Sequence, residues 1–260
     1  PQVWAWRRGR IKTIARLVNK MLVVFPFEVA LYKEAGVDVE YVGHPLVDIA
    51  RAELSKDEAR RSLGIDGGAA VISLLPGSRT GEINRMLPVM LKAASIVDKA
   101  VSKDVVFLLP AAASIDDGHI DGFVKRALVN VRVVRGAMYA ALAASDAAVV
   151  TSGTATLETA LIGTPMAIVY KLSPVSAMLG RLLVRGRFVG LPNIIVNRSV
   201  VPELLQKDAT PENISRELLS IINDRLRRET MLKGLEEVKS ALGGGGAALR
   251  AAAAIKETIT

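Results

Sequence analysis

The stretch DAAVVTSGTATLETALIGTPMAIVY, residues 146–170, decides the fold of this chain. An apolar run of strand length, residues 147–150, leads through a turn of small residues into a helical segment. Gly163 and Pro165 end that helix, and a second apolar run, Met166–Tyr170, follows at once. This order predicts a βαβ unit, the building block of a parallel sheet.

The turn at the start of this helix has the composition of an anion site. The first N–H groups of a helix lack intrahelical partners, and the helix dipole favours negative charge there. Gly153 and Ala155 are small enough for a diphosphate to approach, and the carboxylate of Glu158 can accept hydrogen bonds from a ribose diol. A nucleotide fits both features. The alternative is an ordinary strand-to-helix corner capped by hydroxyl groups.

The composition excludes several classes of protein. The chain has 260 residues, 50% of them apolar, so it can bury a substantial core in one or two domains. We expect no membrane span and no secretion, because no apolar run reaches about 18 residues and the start lacks a signal-type region. The start also lacks Met, which we interpret as a beginning inside a longer reading frame. With no cysteine and two isolated histidines, His44 and His119, we expect no disulfide, no metal site and no cofactor.

The formal charge of +8 is concentrated at the start of the chain. Trp4 and Trp6 stand beside six positive residues that precede the first acid, Glu28. This basic segment suits the headgroup level of an anionic membrane, and a solvated helix face with tryptophans in the core explains it equally well. A nucleic-acid partner is disfavoured because no binding motif accompanies the charge. The six positive residues are Arg7, Arg8, Arg10, Lys12, Arg16 and Lys20.

Strands alternate with helical stretches through the middle of the chain, as in a doubly wound parallel sheet. We therefore predict an α/β fold with an opening α/β piece over residues 1–48 and a Rossmann-like domain over residues 49–210. The helices of residues 211–260 have no predicted strands left to cover, so we expect them to pack back on the opening piece. Ser55 and Glu58 form a predicted capping box at the start of a helix. The run of four glycines, 243–246, is interpreted as a flexible hinge. The predicted strands of the middle domain are 71–75, 105–109, 131–134, 147–150 and 166–169.

A second candidate loop, PGSR at residues 76–79, follows the strand 71–75. Ligands of open α/β sheets bind at the carboxyl ends of the strands, so two small-residue loops at that edge favour one shared anionic ligand. Arg79 is the candidate for bridging the phosphates and stabilising developing negative charge. Its alternative role is a salt bridge to Glu82. No G-x-G-x-x-G fingerprint follows a predicted strand, which weakens a dehydrogenase interpretation.

With these motifs the chain resembles the lipid-A-disaccharide synthases, a family of GT-B glycosyltransferases. The combination of LLPGSR, SGTATLE and LPN carries the resemblance, and the matching stretches cover almost the whole chain in the expected order. The resemblance implies a GT-B fold with one complete Rossmann-like domain and the remnant of a second. The stretches are VWAWRRGRIKTI at Val3, FPFE at Phe25, YVGHPLVD at Tyr41, LLPGSRTGEINRMLP at Leu74, SDAAVVTSGTATLETALIGTPM at Ser145 and VGLPNIIVNRSVVPELLQKDATPENI at Val189.

The resemblance implies a reaction and its partners. Diacylglucosamine would pass from its UDP-activated form to the 6-hydroxyl of diacylglucosamine 1-phosphate, with inversion at the anomeric carbon and release of UDP. The product is the lipid A disaccharide precursor. We expect the enzyme in the cytoplasm, on the inner face of the inner membrane of a bacterium that has an outer membrane. No nucleic-acid partner is expected. The sequence does not distinguish a monomer from a homodimer.

The resemblance also assigns donor-binding residues. Gly136, Ala137 and Met138 would offer backbone groups to uracil, with a plain strand-to-helix loop as the alternative. Asn193 and Gln206 resemble donor-sugar contacts, because amides bond hydroxyls as donor and acceptor; the alternative is a loop-capping amide. The complete predicted donor set is Gly77, Ser78, Arg79, Gly136, Ala137, Met138, Ser152, Gly153, Thr154, Glu158, Asn193 and Gln206.

The chain departs from the family at its front, where most of the N-terminal domain has no counterpart. No residue matches the aspartate that the resemblance nominates as general base, so we expect this chain alone to bind UDP-sugar and turn over poorly or not at all. Another UDP-sugar GT-B enzyme, such as a peptidoglycan glycosyltransferase or a UDP-N-acetylglucosamine epimerase, is the alternative function. A non-catalytic membrane-surface module is a third interpretation.

A second membrane candidate is the segment 176–188, where apolar residues at helical spacing alternate with arginines. Such a helix can lie in the headgroup plane of an anionic membrane. The alternative is a core-facing amphipathic helix with solvated arginines. The predicted membrane-contact residues of both segments are Trp4, Trp6, Arg7, Arg8, Arg10, Met178, Leu182, Leu183 and Arg185.

Overall fold

The computed structural model of the chain describes residues 9–65, 68–172 and 187–259. A small α/β piece with two short parallel strands comes first, and it has its own core around the fully buried Tyr32. The capping box of Ser55 and Glu58 starts the last helix before the main sheet, as predicted. These first elements are α1 (Arg10–Leu17), β1 (Met21–Val23), α2 (Pro26–Lys33), β2 (Val39–Tyr41), α3 (Leu46–Ile49) and α4 (Lys56–Ser62).

The main body is a six-stranded parallel sheet. The five strands predicted from apolar runs are present, each with ends within two residues of the prediction. The sixth strand is short and was not predicted. The strands are β3 (Ala70–Leu75), β4 (Val105–Ala111), β5 (Val131–Arg135), β6 (Ala147–Thr151), β7 (Met166–Tyr170) and β8 (Glu203–Leu205).

Helices cover both faces of this sheet. The longest of them, α5, buries seven residues, which include Ile83, Leu87 and Met90. The helices after β3 are α5 (Thr80–Ala100), α6 (Asp117–Val124), α7 (Met138–Ala144), α8 (Thr154–Ile162), α9 (Leu191–Ile195), α10 (Pro211–Asn223), α11 (Arg225–Leu242) and α12 (Ala247–Ile259). Among the described residues, no helix is long and apolar enough to cross a membrane.

The strand order β5-β4-β3-β6-β7-β8 is that of a Rossmann-like sheet, in which the direction of winding reverses between β3 and β6. These two strands are hydrogen-bonded neighbours, with Leu75 opposite Val150 at their carboxyl ends. The loops that follow them therefore emerge side by side. Ligands of such sheets bind at this switch point, because the two connecting helices leave in opposite directions and open a crevice.

The C-terminal helices are placed differently from the prediction. Helix α10 packs on α5, β6 and β7, and α11 packs on α8, so both cover the main sheet and its helices. The reason is that Ile214, Leu218 and Ile221 form an apolar stripe on α10, which is fully buried. Helix α12 does lie against the opening piece, where Arg250 Nε donates to the Val42 carbonyl at 2.9 Å.

The glycine run between α11 and α12 is tied to the opening piece by hydrogen bonds. Both carboxylate oxygens of Asp48 accept from the Gly246 N–H at 2.9 Å. Arg250 donates to the carbonyls of Gly244 at 3.2 Å and Gly245 at 2.7 Å. The run is thus a structured crossing between the two parts of the molecule, where the sequence predicted a flexible hinge.

The carboxylate of Asp146, just before β6, joins three elements at the amino edge of the sheet. It accepts from Lys56 Nζ at 2.6 Å, from Arg60 Nη2 at 2.8 Å and from the Val71 N–H at 2.9 Å. Burial alone would raise the pKa of Asp146, but the hydrogen bonds from Lys56 and Val71 and the charge of Arg60 outweigh it. The pKa of Asp146 therefore lies below its ordinary value of 3.8.

We expect Asp146→Asn to lower the free energy of unfolding at pH 7 by about 3 kcal/mol, because it removes the carboxylate charge that pairs with Lys56 and with the largely buried Arg60 guanidinium. A carboxyl whose pKa is lower in the folded state stabilises the fold above its unfolded pKa, and this stabilisation is lost as the pH falls through the folded pKa. Urea unfolding at pH 7 and pH 3 measures both effects. The difference between parent and variant should shrink at pH 3, and Asp98→Asn, at an exposed position on α5, should cost little at either pH. If parent and Asp146→Asn differed in free energy of unfolding by the same amount at both pH values, the Asp146 charge would not be the cause of the difference.

Candidate functional site

A cleft of about 980 Å³ opens at the carboxyl edge of the sheet, at the switch point between β3 and β6. The loops after β3, β4, β5 and β6 line it. Ten of the twelve predicted donor-binding residues lie on its wall, and two do not. The ten are Gly77, Ser78, Arg79, Gly136, Ala137, Met138, Ser152, Gly153, Thr154 and Glu158.

The N-terminus of α8 forms one side of the cleft. Its N-cap, Gly153, has φ 157° and ψ −166°, a region that glycine enters far more readily than residues with a side chain. A Cβ built on Gly153 would meet no atom of the described residues within 4 Å, so beside these residues there is space for a ligand. The N–H groups of Thr154 and Ala155 belong to the first turn and have no intrahelical acceptor. An anion at this position would meet these donors together with the positive end of the helix dipole.

Thr151, the last residue of β6, adds a polar group that was not predicted from the sequence. The residue is 3% exposed and lies on the cleft wall, and its Oγ1 has no hydrogen-bond partner among the residues that the structure describes. An unpaired buried hydroxyl is unfavourable, so we expect a water or a ligand oxygen to satisfy it. The neighbouring Ser152 hydroxyl donates to the Val189 carbonyl at 3.3 Å and so orients the loop before α9.

Glu158, in the second turn of α8, faces the cleft beside Tyr139 of α7. The Tyr139 hydroxyl donates to Glu158 Oε1 at 2.8 Å. Burial first, and then the hydrogen bond to Glu158, raise the pKa of Tyr139 to about 12, so the hydroxyl stays protonated at neutral pH. Sequence reasoning missed Tyr139. The available signal was its place three residues after Gly136, in a loop already assigned to the site.

The loop after β3 forms the opposite side of the cleft. Gly77 has φ 112°, and a Cβ there would collide with the side chain of Glu82. The Glu82 carboxylate accepts from the Ser78 N–H at 3.3 Å and from Arg79 Nη1 at 3.0 Å. The salt bridge to Glu82, which was the alternative role expected for Arg79, is therefore present. Its side chain is nevertheless 82% exposed at the cleft, where it can turn toward a ligand.

Asn193 and Gln206 lie away from the described cleft wall. The fully buried Asn193 donates to Val201 O at 2.9 Å and Glu203 Oε1 at 2.8 Å, and its Oδ1 accepts from the N–H groups of Val200 and Val201. This amide is satisfied by the chain that runs from α9 to the start of β8, which favours the capping role over a sugar contact. Gln206 Oε1 accepts from the Leu172 N–H at 3.3 Å, and its φ of 52° is unusual for a residue with a side chain.

Most of the predicted membrane-contact residues lie outside the described residues. Only Arg10, the first residue of α1, is described among them, and it is exposed. In the segment 176–188, Arg187 and Phe188 are described, with the guanidinium 5.3 Å from the ring centre. Within residues 9–65, 68–172 and 187–259, no group of three or more His, Asp or Glu side chains is placed to hold a metal ion.

Comparison with known proteins identifies the family. The sequence model described as lipid-A-disaccharide synthetase matches residues 1–256. The chain belongs to the lipid-A-disaccharide synthetase family. A relative from Syntrophus aciditrophicus named lipid-A-disaccharide synthase is 49% identical over 253 residues, which are 97% of this chain and 66% of the relative. The resemblance stated from the motifs is thus confirmed, and the chain spans about two thirds of the length of the curated relatives it matches.

Solved structures confirm the GT-B fold class. The Anabaena protein HepE in complex with UDP-glucose matches 98% of this chain and 68% of its own, with a TM-score of 0.54 and 14% identity. WaaG, a glycosyltransferase involved in lipopolysaccharide biosynthesis, matches 86% of this chain and 62% of its own, with a TM-score of 0.53 and 11% identity. At such identities the likeness concerns the fold. Family membership disfavours the other GT-B enzymes and the non-catalytic module as interpretations.

Proposed function

We propose that this chain carries the donor-binding part of a lipid-A-disaccharide synthase. The enzyme would transfer 2,3-diacylglucosamine from its UDP-activated form to 2,3-diacylglucosamine 1-phosphate, with inversion at the anomeric carbon and release of UDP. The observation that carries the proposal is the cleft at the switch point, where the open N-terminus of α8 and the carboxylate of Glu158 face the same space.

Each lining loop is proposed to bind a different part of the donor. The diphosphate would lie against Gly153 and Thr154 at the positive end of α8. The Thr151 hydroxyl would donate a hydrogen bond to it, either directly or through a water. The ribose hydroxyls would donate to Glu158, one helical turn further on. The backbone after β5, from Gly136 to Met138, would bind uracil, since these residues line the cleft and the positive φ of 68° at Gly136 makes a turn there.

Arg79 is proposed to act on the leaving group. As the bond between sugar and diphosphate breaks, negative charge grows on the diphosphate, and a guanidinium at the cleft can stabilise it. No metal or other cofactor is included in this proposal. The acceptor hydroxyl must lose its proton to a base, and no residue of this chain matches the aspartate that the family resemblance nominates for that role.

Attachment to the membrane is part of the same proposal. Both proposed substrates carry acyl chains, so the enzyme must reach them at the inner face of the inner membrane. The basic opening with Trp4 and Trp6, and the segment 176–188 with Leu182, Leu183 and Arg185, are the proposed contacts. A homodimer stays open.

Calorimetric titration with UDP tests the proposal directly. We expect the chain to bind UDP, and Glu158→Ala to weaken binding by about 1 to 3 kcal/mol, because the ribose loses its charged acceptor. Glu236→Ala, an exposed change on α11, is the matched control and should leave the affinity unchanged. A folded parent that does not bind UDP would refute the proposed function. If the parent and Glu158→Ala bound UDP with equal affinity, the ribose would not be bound by Glu158.

A further inference from the structure

The contact between Tyr139 and Glu158 joins two helices that flank the nucleotide cleft. Tyr139 is the second residue of α7 and directly follows Met138, the last of the residues proposed to bind uracil. Glu158 lies on α8, whose N-terminus is proposed for the diphosphate. The bond of 2.8 Å between the Tyr139 hydroxyl and Glu158 Oε1 therefore ties the helix next to the proposed uracil site to the helix proposed to bind the diphosphate.

A glutamate side chain has three rotatable bonds, and binding a ligand with it costs conformational entropy unless the carboxylate is held beforehand. The tyrosine hydroxyl supplies that restraint. It stays protonated at neutral pH, so toward the carboxylate it acts only as a donor. Within the described part of the chain, the hydrogen bond to Glu158 from a side chain engages Oε1, so the second carboxylate oxygen, Oε2, can accept from a ligand; both residues line the cleft.

We propose that Tyr139 is a positioning residue for ribose recognition, holding the Glu158 carboxylate in the orientation that accepts hydrogen bonds from the 2′- and 3′-hydroxyls of a uridine nucleotide. This inference rests on the proposed function, since it assigns a role within the same site. If Tyr139 has this role, the preference for UDP over 2′-deoxy-UDP depends on Tyr139, which acts on the nucleotide through the Glu158 carboxylate.

The test compares UDP with 2′-deoxy-UDP by calorimetry in the parent and in Tyr139→Phe. This variant keeps the ring, which packs at the edge of the main core, and removes only the hydroxyl. The parent should prefer UDP over 2′-deoxy-UDP by about fivefold or more, which is the order of the net contribution of one hydrogen bond. In Tyr139→Phe the affinity for UDP should fall about three- to tenfold, and the preference should fall below about twofold.

Tyr41→Phe is the matched control, because it removes another hydrogen-bonded tyrosine hydroxyl outside the cleft wall. It should leave both affinities and their ratio unchanged. A double variant, Tyr139→Phe with Glu158→Gln, should show no further loss of preference beyond Glu158→Gln alone, since the hydroxyl acts through the carboxylate.

The outcomes separate the inference from the proposed function. Parent protein that binds no UDP would overturn the proposed function and this inference together. Parent protein that binds UDP, combined with a Tyr139→Phe variant that retains the full preference for the ribonucleotide, would overturn the positioning role alone. Equal weakening of both nucleotides by Tyr139→Phe would also overturn the positioning role, because that is the result expected of a purely structural tyrosine.

Discussion

Gly153→Val is expected to lower the affinity of the chain for UDP by about 10- to 100-fold. A side chain at this position points into the open space at the N-terminus of α8, where the diphosphate is proposed to lie. Valine would occupy that space with two methyl groups next to the N–H donors. Its β-branch also conflicts with the backbone at φ 157° and ψ −166°, so the free energy of unfolding should fall by about 1 to 3 kcal/mol.

Calorimetry with UDP, together with urea unfolding, separates the two effects. Gly122→Val is the matched control, since Gly122 lies within α6 and a Cβ there also meets no atom within 4 Å. The control should lose little stability and no affinity for UDP. UDP binding at parental strength in folded Gly153→Val would place the diphosphate away from α8.

The βαβ unit at residues 146–170 could be predicted because each of its signals is local. Buried strands of a parallel sheet are continuous apolar runs, and Gly163 and Pro165 mark the end of the helix within a few residues. The two loops at the switch point follow from the same reasoning, because parallel strands bring their carboxyl ends to one edge. Ten donor-set residues were therefore found together on the cleft wall.

The missed features depend on contacts between distant parts of the chain. The strand β8 has only three residues, and its pairing with β7 is what makes it a strand. Helix α10 packs on β6 and β7, whereas the sequence analysis found no predicted strands left for it to cover. Asn193 is a suitable amide by type, yet four hydrogen bonds to Val200, Val201 and Glu203 occupy it. The partnership of Tyr139 and Glu158 spans 19 residues and arises only when α7 and α8 pack together.

The proposed role of Arg79 predicts a change in rate that exceeds the change in affinity. In the intact enzyme, Arg79→Gln should lower kcat about 100-fold, because the guanidinium interacts most strongly with the diphosphate when the sugar bond breaks. The affinity for UDP should fall less, by about tenfold or under, because the exposed side chain contributes modestly to a ground-state complex. The rate of UDP release during turnover gives kcat, and calorimetric titration of the same preparations with UDP gives the affinity.

Arg85→Gln provides the matched control for this prediction. Arg85 lies six residues further along on α5, is exposed, and donates to the Lys171 carbonyl at 3.2 Å without lining the cleft. Its replacement should change neither kcat nor UDP affinity appreciably, which would exclude a general effect of lost positive charge near α5. Equal losses in rate and affinity for Arg79→Gln would indicate simple ground-state binding. A kcat at the parental value would mean that the pair with Glu82, observed at 3.0 Å, is the whole role of Arg79.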